Sequence, residues 1–268
     1  MEWINLNNGQ TMPLLGTGTN TYGKVDQDYN GELNGDFAPL ESALRLGYRL
    51  VDTAIVYRNE AGVGATLARS NVDRQDLFVT TKIPNDESYT HSKESIRQTI
   101  DRSLAHFGTD YLDLYLIHKP SSNPSVTKRI WQVLEDYYDQ GKLKNIGVSN
   151  FSAQQIEDLK SYAKIMPAVN QIQINLEEKN QDLIDYLQGQ KIVPTAWGPM
   201  KSSPDQRQAL AKIGKKYGKA WSQVLLRYQV QRGIVVIPKS HNPNNQALNL
   251  DIFDFDLSSE DMAQVSQL

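Results

Sequence analysis

Short apolar runs recur along the chain: Met12–Gly18, Arg49–Ala54, Leu77–Lys82, Tyr111–His118, Asn145–Ser149, Ala168–Gln173, Ile192–Trp197 and Ile234–Ile237. Several are nearly continuous in Val, Ile and Leu, the pattern of strands buried on both faces. Between them lie stretches with helical spacing and their own start and stop signals. Asp36 precedes Leu40, Ala43 and Leu44, and Gly47 follows; this is an N-cap, an apolar stripe and a C-terminal glycine. Thr90 opens a stretch carrying Ile96, Ile100, Leu104 and Phe107 that ends at Gly108, and Ser125 or Thr127 opens another that stops at Gly141. Ser152 with Gln155, and Ser203 with Gln206, read as capping boxes. Trp221–Tyr228 is the last helical stretch before the eighth run.

Eight strands alternating with helices predict a parallel α/β protein. G-x-G-x-x-G is absent after the first run, where Gly16-Thr-Gly18 is only a fragment of it. The count and the 268 residues favour a single (β/α)8 TIM barrel spanning 1–268 over an open doubly wound sheet. Asn8-Gly9, between Ile4/Leu6 and Met12/Leu14, predicts a β-hairpin ahead of the barrel. The Gly/Asn/Asp-rich stretch Asn20–Gly35 predicts a long loop on the C-terminal rim. Tyr22 and Tyr29 in that loop either reach the site or sit at the surface.

Composition narrows the function. Hydrophobic residues are 39% and charged residues 22%, with a formal net charge of −3; nucleic acid is therefore not the expected partner. The absence of cysteine excludes disulfides, thiol nucleophiles and thiolate metal sites. The four histidines, His91, His106, His118 and His241, show no metal-ligand spacing, so no metal is expected. No apolar run approaches a membrane span, and the N-terminus lacks the features of a signal peptide. A cytoplasmic, monomeric protein is expected.

Barrel active sites lie at the C-terminal ends of the strands. There the runs place Asp52 (with Tyr57 five residues on), Lys82, His118, Ser149-Asn150, Asn170-Gln171, Trp197 and Lys239-Ser240. Taken singly, Asp52 reads as a cap, Lys82 as a solvated charge, Tyr57 and Trp197 as packing aromatics, and His118 as a strand cap. Together, Asp, Lys and His closing three consecutive strands beside a Tyr point to proton transfer. A phenol titrates near 10, and an adjacent ammonium would make it a better acid. The ammonium needs a buried carboxylate to stay charged, and the imidazole orients the reacting oxygen. With no thiol and no G-x-S-x-G elbow, this suits carbonyl reduction. Hydride must then come from a cofactor. Trp197 offers a flat face, Ser149, Asn150 and Gln171 offer amide partners, and Lys239 and Ser240 stand where barrels frequently bind phosphate.

Gly47-Tyr-Arg-Leu-Val-Asp-Thr-Ala54, Val79-Thr-Thr-Lys82, Asp113-Leu-Tyr-Leu-Ile-His118, Gly147-Val-Ser-Asn-Phe151 and Ile237-Pro-Lys-Ser240 resemble, in order, the signatures of the aldo-keto reductases. The match runs from about Met12 to Asp261. Ala196-Trp-Gly-Pro-Met200 and Asp251-Ile-Phe-Asp-Phe255 are similar to the microbial diketogluconate-reductase-like branch. The resemblance implies reduction of aldehydes or ketones with NADPH, and a tetrad of Asp52, Tyr57, Lys82 and His118 with Tyr57 as general acid. It also implies a cofactor held by Thr19, Asn20, Asp52, Ser149, Asn150, Gln171, Gly198, Met200 and Asn249. Trp197 would stack on the ring, and Lys239 and Ser240 would meet the 2′-phosphate. Three departures stand out: Asn245 replaces the usual Arg, Leu248 a usual Glu, and Lys119 a common Trp. Loss of the Arg implies that NADH serves closer behind NADPH than usual. The chain also ends without the long C-terminal loop of many members, leaving the substrate open. Two alternatives remain at this stage. One is a cofactor-sensing regulatory subunit of the same fold. The other is a barrel hydrolase or lyase using Asp52, Lys82 and His118 without nicotinamide.

Overall fold

A computed structural model describes all 268 residues. The chain opens with the antiparallel hairpin β1 (Trp3–Asn5) and β2 (Thr11–Pro13), turned at Gly9 in the left-handed region. Eight parallel strands follow: β3 (Gly16–Gly18), β4 (Leu50–Asp52), β5 (Phe78–Ile83), β6 (Leu114–Ile117), β7 (Ile146–Ser149), β8 (Val169–Gln173), β9 (Val193–Trp197) and β10 (Val235–Val236). Each pairs with its sequence neighbour. The ring is closed by a parallel bridge between Leu15 and Val236, with the Val236 amide donating to the Leu14 carbonyl. The (β/α)8 barrel and its preceding hairpin match the sequence expectation.

Eleven helices surround it: α1 (Ala38–Leu46), α2 (Glu60–Arg69), α3 (Glu87–Thr90), α4 (Lys93–Phe107), α5 (Pro124–Asp139), α6 (Ala153–Lys160), α7 (Gln181–Gly189), α8 (Pro204–Gly214), α9 (Trp221–Gln231), α10 (Pro243–Leu250) and α11 (Ser259–Gln267). None is long and apolar enough to cross a membrane. Their apolar stripes pack onto the strands, as Ile96, Ile100, Leu104 and Phe107 do from α4. Close approach of α2 to α4 depends on Gly64, where a Cβ would lie 2.1 Å from the His106 carbonyl oxygen.

Several boundaries differ from the sequence reading. Met12–Gly18 is two strands: Thr11–Pro13 serves the hairpin, and the barrel begins at Gly16. Thr90 closes α3, donating to the carbonyls of Asn85 and Asp86, while Ser92 caps α4 through the Ser95 amide. Asn123, ahead of Pro124, caps α5 in place of Ser125 or Thr127, because its side chain accepts from the Ser125 amide. The capping boxes at Ser152 and Ser203 are present. Asp36 lies one residue outside the geometric cap of α1, and its carboxylate accepts from the Ala38 amide.

Candidate active site

Alternation along β5 decides which way Lys82 faces. The Thr81 hydroxyl donates to Glu60 of α2 at 2.7 Å, so Thr81 faces outward and Lys82 points into the barrel. Lys82 is fully buried, and its Nζ donates to Asp52 Oδ1 at 2.6 Å and to the Thr53 carbonyl at 2.8 Å. The other Asp52 oxygen accepts from Gln171 Nε2 at 2.7 Å. A carboxylate from β4, an ammonium from β5 and an amide from β8 thus form one chain across the barrel's mouth. Burial lowers the Lys82 pKa, and the charge of Asp52 and its hydrogen bond oppose that shift.

Tyr57 ends a single 3-10 turn, Ile55–Tyr57, just beyond β4. Its ring stands edge-to-face against His118 at 5.9 Å between centroids, and the Lys82 ammonium lies 5.4 Å from the ring centroid. Asp52, Lys82, Tyr57 and His118 therefore converge as the strand ends suggest. The electrostatic expectation is corrected on one point. Burial pushes the Tyr57 phenol up, and the negative charge of Asp52 and then Tyr29 add to the rise. Lys82 is already committed to Asp52 and Thr53, so its attraction does not offset the lost hydration. His118 is pushed down to about 3 by burial, then by the charges of Lys82 and Lys119, which makes it a neutral imidazole at ordinary pH.

Above these groups opens a cleft of about 610 Å³. Thr19, Asn20, Asp52, Tyr57, His118, Ser149, Asn150, Gln171, Trp197, Gly198, Met200 and Lys239 all line it. Three candidates do not. Lys82 lies beneath, behind Asp52. Ser240 Oγ closes a turn on Asn242, accepting from its amide. Asn249 is buried in α10 beside Tyr48. Asn245 and Leu248 are exposed on α10.

The Trp197 indole is 37% exposed, and its Nε1 donates to Asn150 Oδ1 at 2.9 Å. Asn150 sits at φ 62 and donates from its amide nitrogen to Ser149 Oγ and the His118 carbonyl. Lys239 Nζ donates to Thr21 Oγ1 at 2.8 Å, has no carboxylate partner, and burial lowers its pKa.

The long loop holds what sequence reasoning left open or missed. Tyr29 lines the cleft and packs edge-to-face on Tyr57 at 5.8 Å, whereas Tyr22 is buried below, donating to the Ser240 carbonyl. Lys24 donates to the Tyr29 carbonyl, and Arg58 donates to the carbonyls of Asn30 and Gly31. Asn59, buried two residues after Tyr57, ties the loop's start through the Thr19 and Tyr22 carbonyls. Its only sequence signal is an amide side chain two residues beyond the tyrosine. Lys201 also lines the cleft, paired with Glu177 at 2.7 Å, and nothing in the spacing marked it.

The aldo/keto reductase family profile matches residues 14–268. The chain belongs to the aldo/keto reductase family. It is 40% identical to a glyoxal reductase of Bacillus subtilis over all of this chain and 92% of that protein. Among solved structures it is similar to an aldo/keto reductase from Brucella melitensis, with 33% identity, a TM-score of 0.90, and 99% and 98% of the two chains covered. It is also similar to a Bombyx mori aldo-keto reductase in complex with NADP, with 34% identity, a TM-score of 0.87, and 99% and 92% covered. As a member of this family the chain is an oxidoreductase that reduces carbonyl groups with a nicotinamide cofactor. The residues present fit such a cofactor. Gln171, its nitrogen used by Asp52, keeps a carbonyl oxygen without a hydrogen bond for a carboxamide donor. Trp197 keeps its exposed indole, and Lys239 an ammonium with no counter-ion.

Proposed function

We propose that this aldo/keto reductase reduces small aldehydes and ketones with NADPH, using Tyr57 as the general acid. The observation that carries this reading is the convergence of Tyr57, His118 and the buried Lys82–Asp52 pair at the floor of the cleft. When bound, the nicotinamide supplies a hydride to the carbonyl carbon. Trp197, held by Asn150, would offer the stacking face, while Gln171 Oε1 and the Ser149–Asn150 pair would orient the carboxamide. Lys239 would hold the 2′-phosphate, which would favour NADPH; NADH would serve closer behind it than usual because Asn245 brings no guanidinium.

His118, held neutral, donates from a ring nitrogen to the carbonyl oxygen and fixes it beside Tyr57. As that oxygen gains charge it becomes more basic than a phenolate, and Tyr57 transfers its proton to give the alcohol. Burial keeps the phenol protonated and lowers its driving force as an acid, so the transfer relies on the alkoxide-like basicity that the carbonyl oxygen acquires. Lys82, kept charged by Asp52, lies near enough to stabilise the phenolate until water returns the proton. On the same proposal the enzyme is a cytoplasmic monomer. The B. subtilis relative is named for glyoxal, so small aldehydes are the first class to assay. NADPH consumption that depends on added aldehyde, and is lost in Tyr57→Phe, tests the reading; an active Tyr57→Phe enzyme would place the acid elsewhere.

A further inference from the structure

A second cavity, of about 220 Å³, lies behind the cleft between the segment after β8, α9 and α11. Its apolar wall includes Ile174, Leu176, Leu225 and Val265. Two cations, Lys179 and Arg232, also line it, and no Asp or Glu does. Lys179 Nζ donates to the Ser266 carbonyl at 2.9 Å, and Arg232 donates to Gln181 while its guanidinium lies 4.8 Å over the Tyr228 ring. Neither is in an ion pair; the nearby carboxylate of Glu177 is taken by Lys201. Two charges on one apolar pocket without a counter-ion attract an anion with an apolar body. The volume falls below the roughly 300–1,000 Å³ of drug-sized sites, which suits a molecule of one ring.

The same pocket touches the main cleft through two side chains. Asn175 donates its amide to the Gly198 carbonyl at 3.3 Å, and Gln229 donates its own to the Pro199 carbonyl at 2.9 Å. Gly198 and Pro199 line the main cleft next to Trp197. Gln229 holds this bond while its Oε1 stays buried without a partner, so its amide orientation is set by Pro199.

We infer that the rear cavity is an effector site for a small carboxylate with an apolar body, held by Lys179 and Arg232 and coupled through Asn175 and Gln229 to the Trp197 wall. This goes beyond the reductase reading, and its test reads binding, so the two can fail separately. Benzoate is titrated calorimetrically into enzyme saturated with NADP⁺, beside benzyl alcohol, which has the ring without the charge. Saturable benzoate binding is expected, weaker by about tenfold or more in Lys179→Gln/Arg232→Gln. It should also be lost in Ser266→Trp, which adds an indole to the cavity lining and leaves both cations in the sequence. The tryptophan fluorescence of the wild type should change on binding, and that change should be missing in Trp197→Phe. Failure to bind, equal binding of benzyl alcohol, or binding that survives both variants would overturn the site. Binding without the Trp197-dependent change would overturn the coupling.

Discussion

The Lys82 ammonium lies 2.6 Å from Asp52 Oδ1, and both side chains are buried. Removing one partner leaves the other charge desolvated without compensation, a loss of about 3–5 kcal/mol in comparable buried pairs. Asp52→Asn is therefore expected to lose about that much in denaturant unfolding, together with nearly all turnover. The double variant Asp52→Asn/Lys82→Met removes both charges and should recover part of the stability while remaining inactive. Recovery of turnover in the double variant would show that the pair serves folding alone.

Tyr57→Phe keeps the ring packed between Tyr29 and His118 and removes only the hydroxyl. Turnover should fall by about a hundredfold or more, the scale of a lost general acid, while NADPH binding, followed by fluorescence, changes little. Burial raises the phenol, so its proton is retained through neutral pH and above. The rate of reduction should accordingly show no fall between pH 6 and 9 from loss of the acid form.

His118 gives a stability signature of definite sign. Its folded pKa is depressed to about 3 by burial, Lys82 and Lys119, below the 6.5 of a free histidine. As pH falls below about 6.5 the unfolded chain takes up a proton that the folded chain does not, and stability declines, with a slope approaching 1.4 kcal/mol per pH unit. Above that pH both states hold a neutral ring and the contribution is flat. His118→Asn should remove this component, so the difference between the two stability curves narrows as pH falls from 6.5 towards 3. Parallel curves would mean that the ring is better solvated than its packing indicates.

The strand ends were legible because several apolar runs carry a chemically distinct residue at or near their C-terminal end, and a barrel gathers those ends into one rim. Asp52, Lys82, His118, Gln171 and Trp197 follow from that rule alone. The direction of the Tyr57 shift did not follow, since it depends on whether lost hydration outweighs a neighbouring ammonium, and only distances decide that. Tyr29 was undetermined for a related reason: its place over Tyr57 depends on Lys24 and Arg58 gripping carbonyls of the long loop. Helix starts at Ser92 and Asn123 were missed because Thr90, Ser125 and Thr127 are equally good capping residues by type, and the choice lies in which one faces a free amide. Asn175 and Gln229 carry no sequence signal, as their partners are main-chain carbonyls distant in sequence.

Lys239 and Asn245 are the two residues expected to set the proposed preference for NADPH over NADH. Lys239 is an exposed residue at the cleft whose ammonium has a hydroxyl partner and no carboxylate, so an anionic phosphate is the group it gains most from. NADH lacks the 2′-phosphate and gains little. Lys239→Met should therefore raise KM for NADPH by about tenfold to a hundredfold, the 1–3 kcal/mol of a charged hydrogen bond, and leave KM for NADH nearly unchanged. Asn245 is exposed on α10 and donates no charge. Asn245→Arg adds a planar guanidinium able to bind phosphate in bidentate fashion, and should widen the NADPH-to-NADH ratio of kcat/KM in the opposite sense. Steady-state kinetics with both cofactors on one aldehyde decides the matter. If Lys239→Met weakens both cofactors equally, the lysine meets a pyrophosphate or serves the Thr21 contact, and discrimination lies on another residue.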